Sequence, residues 1–387
     1  MKKESLLQSK KSTRFIHAGA EPDPSTGAIM TPIFQTSTYV QSAPGQHKGD
    51  EYARSQNPTR AALETALAVI ENGKHGLAFG SGVAATDAVM KLLAPGDEVI
   101  AASDMYGGTY RLFSKVFEGF GIKFIYVDTT DAKNVSDAIT AKTKLIWLET
   151  PTNPLMNITD IEAIAAISKK AGAILCVDNT FASPYLQNPL DWGADIVMHS
   201  STKYLGGHSD VIQGALVMND DALRDRLYFI QKSCGAVPGP FDCFLVLRGI
   251  KTLPVRMRAH CENGKAIAHY LRNHPKIEKV YWCGFEDHPN HAVAKKQMSG
   301  FGGMLSFTLK DSSVEAAMKV LSGTQVFSLA ESLGGVESLI NHPATMTHAS
   351  IPREERLKIG LSDGLIRLSV GIEDAEDLIA DLEQAIG

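Results

Sequence analysis

Between residues 98 and 198 the chain alternates short apolar runs with amphipathic stretches of helical length, and this alternation restricts the fold more than any other feature. Glu98–Ala102, Ile122–Val127, Lys144–Leu148, Ala173–Asp178 and Ala194–Met198 are near-continuous apolar segments of strand length. A strand that is apolar on both faces has to be covered on both faces, which predicts an α/β architecture: a mainly parallel sheet with helices above and below. Among the intervening stretches, residues 159–170 place Ile161, Ile164, Ala165 and Ser168 on one helical face and end in two lysines before Gly172. Both features predict a helix and its C-terminal stop.

With 387 residues the chain exceeds what one hydrophobic core usually serves. Residues 1–58 are rich in Pro, Gly, Ser and Thr without sustained periodicity, and read as an extended N-terminal arm. Residues 59–250 hold the alternating pattern and read as a large domain. Residues 251–387 are less regular. A long helical stretch, strands at 302–307 and 366–370 and an acidic helix from Asp374 give them the character of a smaller α+β domain.

Charge argues against several function classes. The 38 Lys and Arg are interspersed with 43 Asp and Glu for a net charge of −5, so no basic footprint for nucleic acid or an anionic membrane is present. The N-terminal residues are charged and lack the apolar core of a signal peptide, and no stretch approaches the roughly 18 apolar residues of a membrane span. Cys176, Cys234, Cys243, Cys261 and Cys283 are odd in number and form no Cys-x-x-Cys pair, which suits reduced thiols in the cytoplasm. His288, His291, His342 and His348 have no companion acids or cysteines that complete a metal site, so no metal is expected.

The candidate chemistry gathers where apolar runs end. Asp178 closes one such run, and the next leads into Ser200, Thr202 and Lys203. Pyridoxal 5'-phosphate (PLP) asks a protein for an amine, for a carboxylate at its pyridine nitrogen, and for hydroxyls and N–H groups at its phosphate. Lys203, Asp178, and Ser200 with Thr202 match those demands, and in open α/β sheets ligands collect at the carboxyl ends of strands. The turn Gly80-Ser-Gly82-Val83 opens a helix whose first N–H groups suit a phosphate. The same glycines loosely match a dinucleotide fingerprint, which would make the chain a nicotinamide-dependent oxidoreductase, but no ribose-binding acid follows at the expected spacing. Tyr106, beside Gly107 and Gly108, is placed to stack on a pyridine ring with its hydroxyl available for proton transfer. Tyr52 and Arg54, two apart in an extended segment, point the same way and can share one phosphate. Arg367 lies within an apolar strand, where its charge needs either a substrate carboxylate or an Asp or Glu partner.

Taken in order, Tyr52-x-Arg54-x-x-Asn57-Pro-Thr-Arg60, Ser81-Gly82, Tyr106-Gly-Gly, Glu149-Thr-Pro-Thr-Asn153-Pro154, Asp178-Asn-Thr, Ser200-x-Thr-Lys203-Tyr, Ser332-Leu-Gly-Gly335 and Arg367-Leu-Ser-Val-Gly371 resemble the Cys/Met-metabolism PLP enzymes over nearly the whole chain. The resemblance implies a type I PLP fold assembled as a homotetramer of two catalytic dimers. It makes Lys203 the Schiff-base lysine and Asp178 the partner of the pyridine nitrogen. Gly82, Val83, Ser200 and Thr202 would hold the phosphate, with Tyr52 and Arg54 arriving from a neighbouring subunit. Tyr106 would stack on the ring, Asn153 and Arg367 would take the substrate carboxylate, and Ser332 would help place the lysine. Arg111 joins the substrate-binding set.

The implied reaction is γ-elimination of cystathionine, with γ-replacement on an acylated homoserine as the nearest rival and PLP binding without catalysis as a third reading. Gly108 stands where methionine γ-lyases usually carry cysteine. Glu51 and Glu331 match acidic positions that face the far amino group of cystathionine in γ-lyases and γ-synthases, and β-lyases generally lack both. Gln56 and Ser201 depart from the usual glycine and alanine. For Tyr106 to begin as a base its pKa must fall, with Arg54 as the expected cause.

Overall fold

The computed structural model describes Leu6 and residues 8–387. In chain order its strands are β1 (His75–Phe79), β2 (Glu98–Ala102), β3 (Lys123–Val127), β4 (Thr143–Glu149), β5 (Ile174–Asp178) and β6 (Ile196–Ser200). There follow β7 (Gly214–Met218), β8 (Ile277–Tyr281), β9 (Met304–Leu309), β10 (Ser328–Leu329), β11 (Leu339–Asn341) and β12 (Ile366–Ser369). The chain divides into two compact units, one of residues 1–93 with 195–254, the other of residues 94–194 with 255–387.

In the first unit β7 pairs antiparallel with both β1 and β6. Neither β1 nor β7 stands out in the sequence as a strand. The helix Pro58–Ile70 starts where its caps dictate: proline occupies the first turn, and the Asn57 side chain accepts hydrogen bonds from the N–H groups of Thr59 and Arg60 at 3.0 and 3.2 Å. The arm is not wholly extended. A helix over Lys11–His17 buries Phe15 and packs against Pro58–Ile70. Behind β6, His199 and Glu71 form a fully buried pair.

The second unit holds the parallel sheet that the apolar runs predict. Its strands lie in the order β5-β4-β2-β3, and every pair is parallel. The helix Ile161–Ala171 covers it through Ile161, Ile164 and Ala165, which share a core with Ile100, Ile146, Leu148, Leu175 and Val177. Asp160 caps that helix through the N–H of Ala163, and Gly172 ends it at φ 67°. A second sheet, β10-β11-β12-β9-β8, is antiparallel except for β10 with β11. Its apolar core takes Leu378 and Leu382 from the C-terminal helix Ala375–Ile386.

Candidate active site

The residues singled out from the sequence fall into two groups, one in each unit. In the first, Phe79 at the end of β1 and Ser200 at the end of β6 are both register partners of Gly214. The carboxyl ends of the two strands therefore meet at one level, and the turns that leave them emerge together. One turn enters the helix Gly82–Met90, capped by the Ser81 hydroxyl through the N–H of Ala84 at 3.0 Å. A Cβ at Gly82 would lie 2.9 Å from Cβ of Ser200, so only glycine lets this helix start come so close. The N–H groups at that start have no partner within the helix and carry its positive end.

The other turn holds Lys203. Its N–H donates to the Ser200 oxygen at 3.1 Å, and the N–H of Gly207 donates to the oxygen of Lys203 at 2.8 Å. Thr202 ties the turn to Gln213: its hydroxyl accepts from the Gln213 N–H at 3.0 Å and donates to the Gln213 oxygen at 3.2 Å. Lys203 and Ser200 are half-buried. Tyr52 and Arg54 do stand together, with the guanidinium 5.5 Å from the tyrosine ring centroid; Arg54 also donates to the Lys232 main-chain oxygen. Glu51 is exposed and pairs with His47 at 3.0 Å.

In the second unit Glu149 and Asp178 are register partners at the ends of β4 and β5. Both are buried. Asp178 accepts from the Thr180 N–H at 3.0 Å and from its hydroxyl. Glu149 accepts from two main-chain N–H groups at 2.9 Å, that of Tyr106 at Oε2 and that of Asn153 at Oε1. Burial, and then the charge of Asp178, hold the Glu149 carboxyl well above the usual carboxylate range.

Asn153 is held from further sides. Its Oδ1 accepts from Nη1 of Arg367 at 2.8 Å, and Nε2 of His348 donates to its main-chain oxygen at 3.0 Å. Arg367 also donates through Nη2 to the oxygen of Ser332 at 2.8 Å, and Ser332 sits at φ 107°. Burial, with help from Arg367, pulls the His348 imidazole down to about 4, so the ring is neutral and its one proton goes to Asn153. The structure thus brings Asn153, Ser332 and Arg367 into one hydrogen-bonded cluster.

The phenol of Tyr106 is raised above the ordinary value, chiefly by desolvation and further by Glu331 and Glu149, while Arg111 and Arg367 pull it back. Within this chain the charged groups acting on this hydroxyl are Arg111, Glu331, Arg367 and Glu149. Glu149 and His348 were not among the candidates. Glu149 ends an apolar strand in the same manner as Asp178, and that pattern identifies it; the role of His348 depends on a contact with Asn153 across 195 residues, which no local pattern displays.

Among the described residues no helix is long and apolar enough to cross a membrane, and no cluster of three or more His, Cys, Asp or Glu has the geometry to hold a metal. The chain matches the Cys/Met metabolism PLP-dependent enzyme family over residues 12–387. It is 55% identical over 376 residues to the cystathionine beta-lyase of Coxiella burnetii, with 97% of each chain covered. It is 52% identical over 378 residues to the cystathionine gamma-synthase of Mycobacterium tuberculosis, covering 97% of this chain and 96% of the relative. The crystal structure of cystathionine gamma-lyase from Lactobacillus plantarum, complexed with L-serine, matches with a TM-score of 0.95 at 48% identity over 97% of this chain and 98% of that one.

Proposed function

The chain belongs to the Cys/Met-metabolism PLP-dependent enzymes, with their type I fold and their cofactor, pyridoxal 5'-phosphate, and from that membership we propose that it cleaves L-cystathionine by γ-elimination to L-cysteine, 2-oxobutyrate and ammonia. When bound, the cofactor supplies a protonated pyridine ring that accepts the electrons left as protons depart from the substrate. The donors present suit it: an amine at Lys203, a carboxylate at Asp178, and a helix start at Gly82 and Val83 drawn close to Ser200.

In this reading the Asp178 carboxylate holds the proton of the ring nitrogen, and Nζ of Lys203 is the base that takes the proton from Cα. Thr202 keeps the lysine turn in place through Gln213. Tyr52 and Arg54 bind phosphate from a neighbouring subunit of a homotetramer built as two catalytic dimers. Residues 1–58 form the arm, 59–250 the large domain and 251–387 the small one. Asn153 and Arg367 grip the substrate carboxylate, supported by Ser332. A raised phenol gives Tyr106 the role of an acid that protonates the departing γ-thiolate. The free thiols of the five cysteines suit the cytoplasm.

What supports γ-elimination is electrostatic: Glu331 is among the groups that raise the phenol of Tyr106, which puts its carboxyl near the group we assign to the leaving sulfur. The charge of that carboxyl, with Glu51, favours the far ammonium of cystathionine over an uncharged thioether tail. The same acids suit γ-replacement, and the 52% identity to a relative named for it makes this the second reading.

The test is mass analysis of products from L-cystathionine alone. Cysteine and 2-oxobutyrate in equal amounts are expected. Homocysteine and pyruvate would overturn the proposal in favour of β-elimination. No cleavage, with cystathionine formed instead from acyl-homoserine and cysteine, would replace it with γ-replacement.

A further inference from the structure

We propose that Glu149 is a positioning residue that holds ring stacking by Tyr106 and carboxylate binding by Asn153 in a single frame. The inference rests on the roles assigned above to Tyr106, Asn153 and Arg367. It goes beyond them by adding a residue that acts through the main-chain N–H groups of Tyr106 and Asn153.

The geometry is that of a two-pronged acceptor. Oε2 takes the N–H of Tyr106 and Oε1 the N–H of Asn153, each at 2.9 Å. Tyr106 is 43 residues from Glu149 and Asn153 only 4, so one carboxyl joins the loop after β2 to the turn after β4. Both partners are donors with nothing to accept. Only a side chain that presents an oxygen to each N–H satisfies the pair, which a carboxyl does and an amide does not.

From Asn153 the link continues. Its Oδ1 takes Nη1 of Arg367, and Nη2 of the same guanidinium takes the oxygen of Ser332. A shift of the Glu149 carboxyl therefore moves the ring-facing and carboxylate-facing residues together. The position is also an unfavourable one for a carboxyl. Glu149 is 4% exposed and stands beside Asp178, whose charge opposes its own. Burial of two neighbouring carboxyls is destabilising, and the two hydrogen bonds from Tyr106 and Asn153 offset part of that cost.

The experiment uses the holoenzyme of the wild type, Glu149→Gln, Asn153→Ala and the double variant. Each is titrated with glycine and with methylamine, which lacks the carboxylate, by following the visible cofactor absorbance. Visible circular dichroism reports the seating of the ring, and a melting temperature is recorded for each. Gln places an NH2 group against one of the two N–H donors, so Glu149→Gln is expected to weaken glycine about 10-fold and methylamine far less. It is also expected to diminish the visible dichroism, which Asn153→Ala leaves intact. The double variant binds glycine no more weakly than the worse single one, because both changes break the same link.

A lower melting temperature with an unchanged glycine-to-methylamine ratio and unchanged dichroism would make Glu149 merely structural and overturn the inference. A wild type that does not distinguish glycine from methylamine, or Asn153→Ala without effect on glycine, would instead overturn the underlying assignment of the site. If Glu149→Gln does not fold, Glu149→Asp, which keeps both oxygens but draws them back by one methylene, takes its place with the same expected and contrary results.

Discussion

Arg367 on β12 donates through Nη1 to Oδ1 of Asn153 at 2.8 Å across 214 residues of sequence. A buried guanidinium is thereby oriented by a neutral amide, and its second contact, the Ser332 oxygen, is also neutral. Lysine in its place keeps the charge but loses the planar fork. Arg367→Lys is expected to raise KM for cystathionine by about 10-fold or more with a smaller effect on kcat, as steady-state kinetics will show. An unchanged KM would remove Arg367 from carboxylate binding.

The closeness of Gly82 to Ser200 leads to a second expectation. A methyl group at 82 would stand 2.9 Å from the Ser200 Cβ and push the helix start away from β6. Gly82→Ala is expected to lower affinity for pyridoxal 5'-phosphate by about 10-fold, since N–H groups that no longer reach the phosphate lose their hydrogen bonds. Titration of the apoenzyme measures it, with far-ultraviolet circular dichroism as the control for folding. Wild-type affinity would show that the phosphate lies elsewhere.

Asp104 yields a prediction about pH. It is buried, its Oδ2 accepts from the Thr152 hydroxyl and the Asn157 amide, and desolvation raises its carboxyl from 3.8 to about 6. The folded state thus holds this proton more tightly than the unfolded chain. The stability so contributed is fully present below about pH 4 and is lost as pH rises through about 6. Asp104→Asn keeps an oxygen for Thr152 and Asn157 and carries no charge. Relative to wild type it is expected to gain stability between pH 4 and pH 8, by about 3 kcal/mol at most, measured as melting temperatures in scanning calorimetry. A constant difference across that range would refute the buried, titrating carboxyl.

The selectivity proposed for Glu331 leads to a fourth expectation. Glu331→Ala is expected to raise KM for cystathionine about 10-fold and to change little for a thioether substrate that lacks the distal amine, because only the former presents an ammonium to the carboxylate. Parallel kinetics on the two substrates decide it, and equal effects would sink the argument from charge.

Much of the fold is legible in the sequence because burial on both faces leaves little freedom: β2 follows its apolar run residue for residue, and Ile161, Ile164, Ala165 and Ser168 are the buried face of their helix. Strands β1 and β7 are harder to see. Gly76 and Gly214 weaken their patterns, and what makes them strands is antiparallel pairing between segments about 140 residues apart, which local periodicity does not record. The helix over Lys11–His17 escapes notice for a related reason, since it depends on burying Phe15.

At the candidate site, residue types at strand ends single out Asp178, Ser200 and Lys203 as candidates, and the isolated charge in an apolar strand singles out Arg367. The sequence leaves Arg367 two kinds of partner, and the structure adds contacts to Asn153 and Ser332. Desolvation leaves no trace in a sequence. The partial desolvation that raises the phenol of Tyr106, a residue 39% exposed, is accordingly not visible there.

Reduction of the holoenzyme with borohydride, followed by mass analysis of its peptides, tests the account most directly. The pyridoxyl group is predicted on Lys203 and on no other lysine. Label on a different lysine, or a protein that stays colourless and unlabelled after incubation with the cofactor, would contradict it.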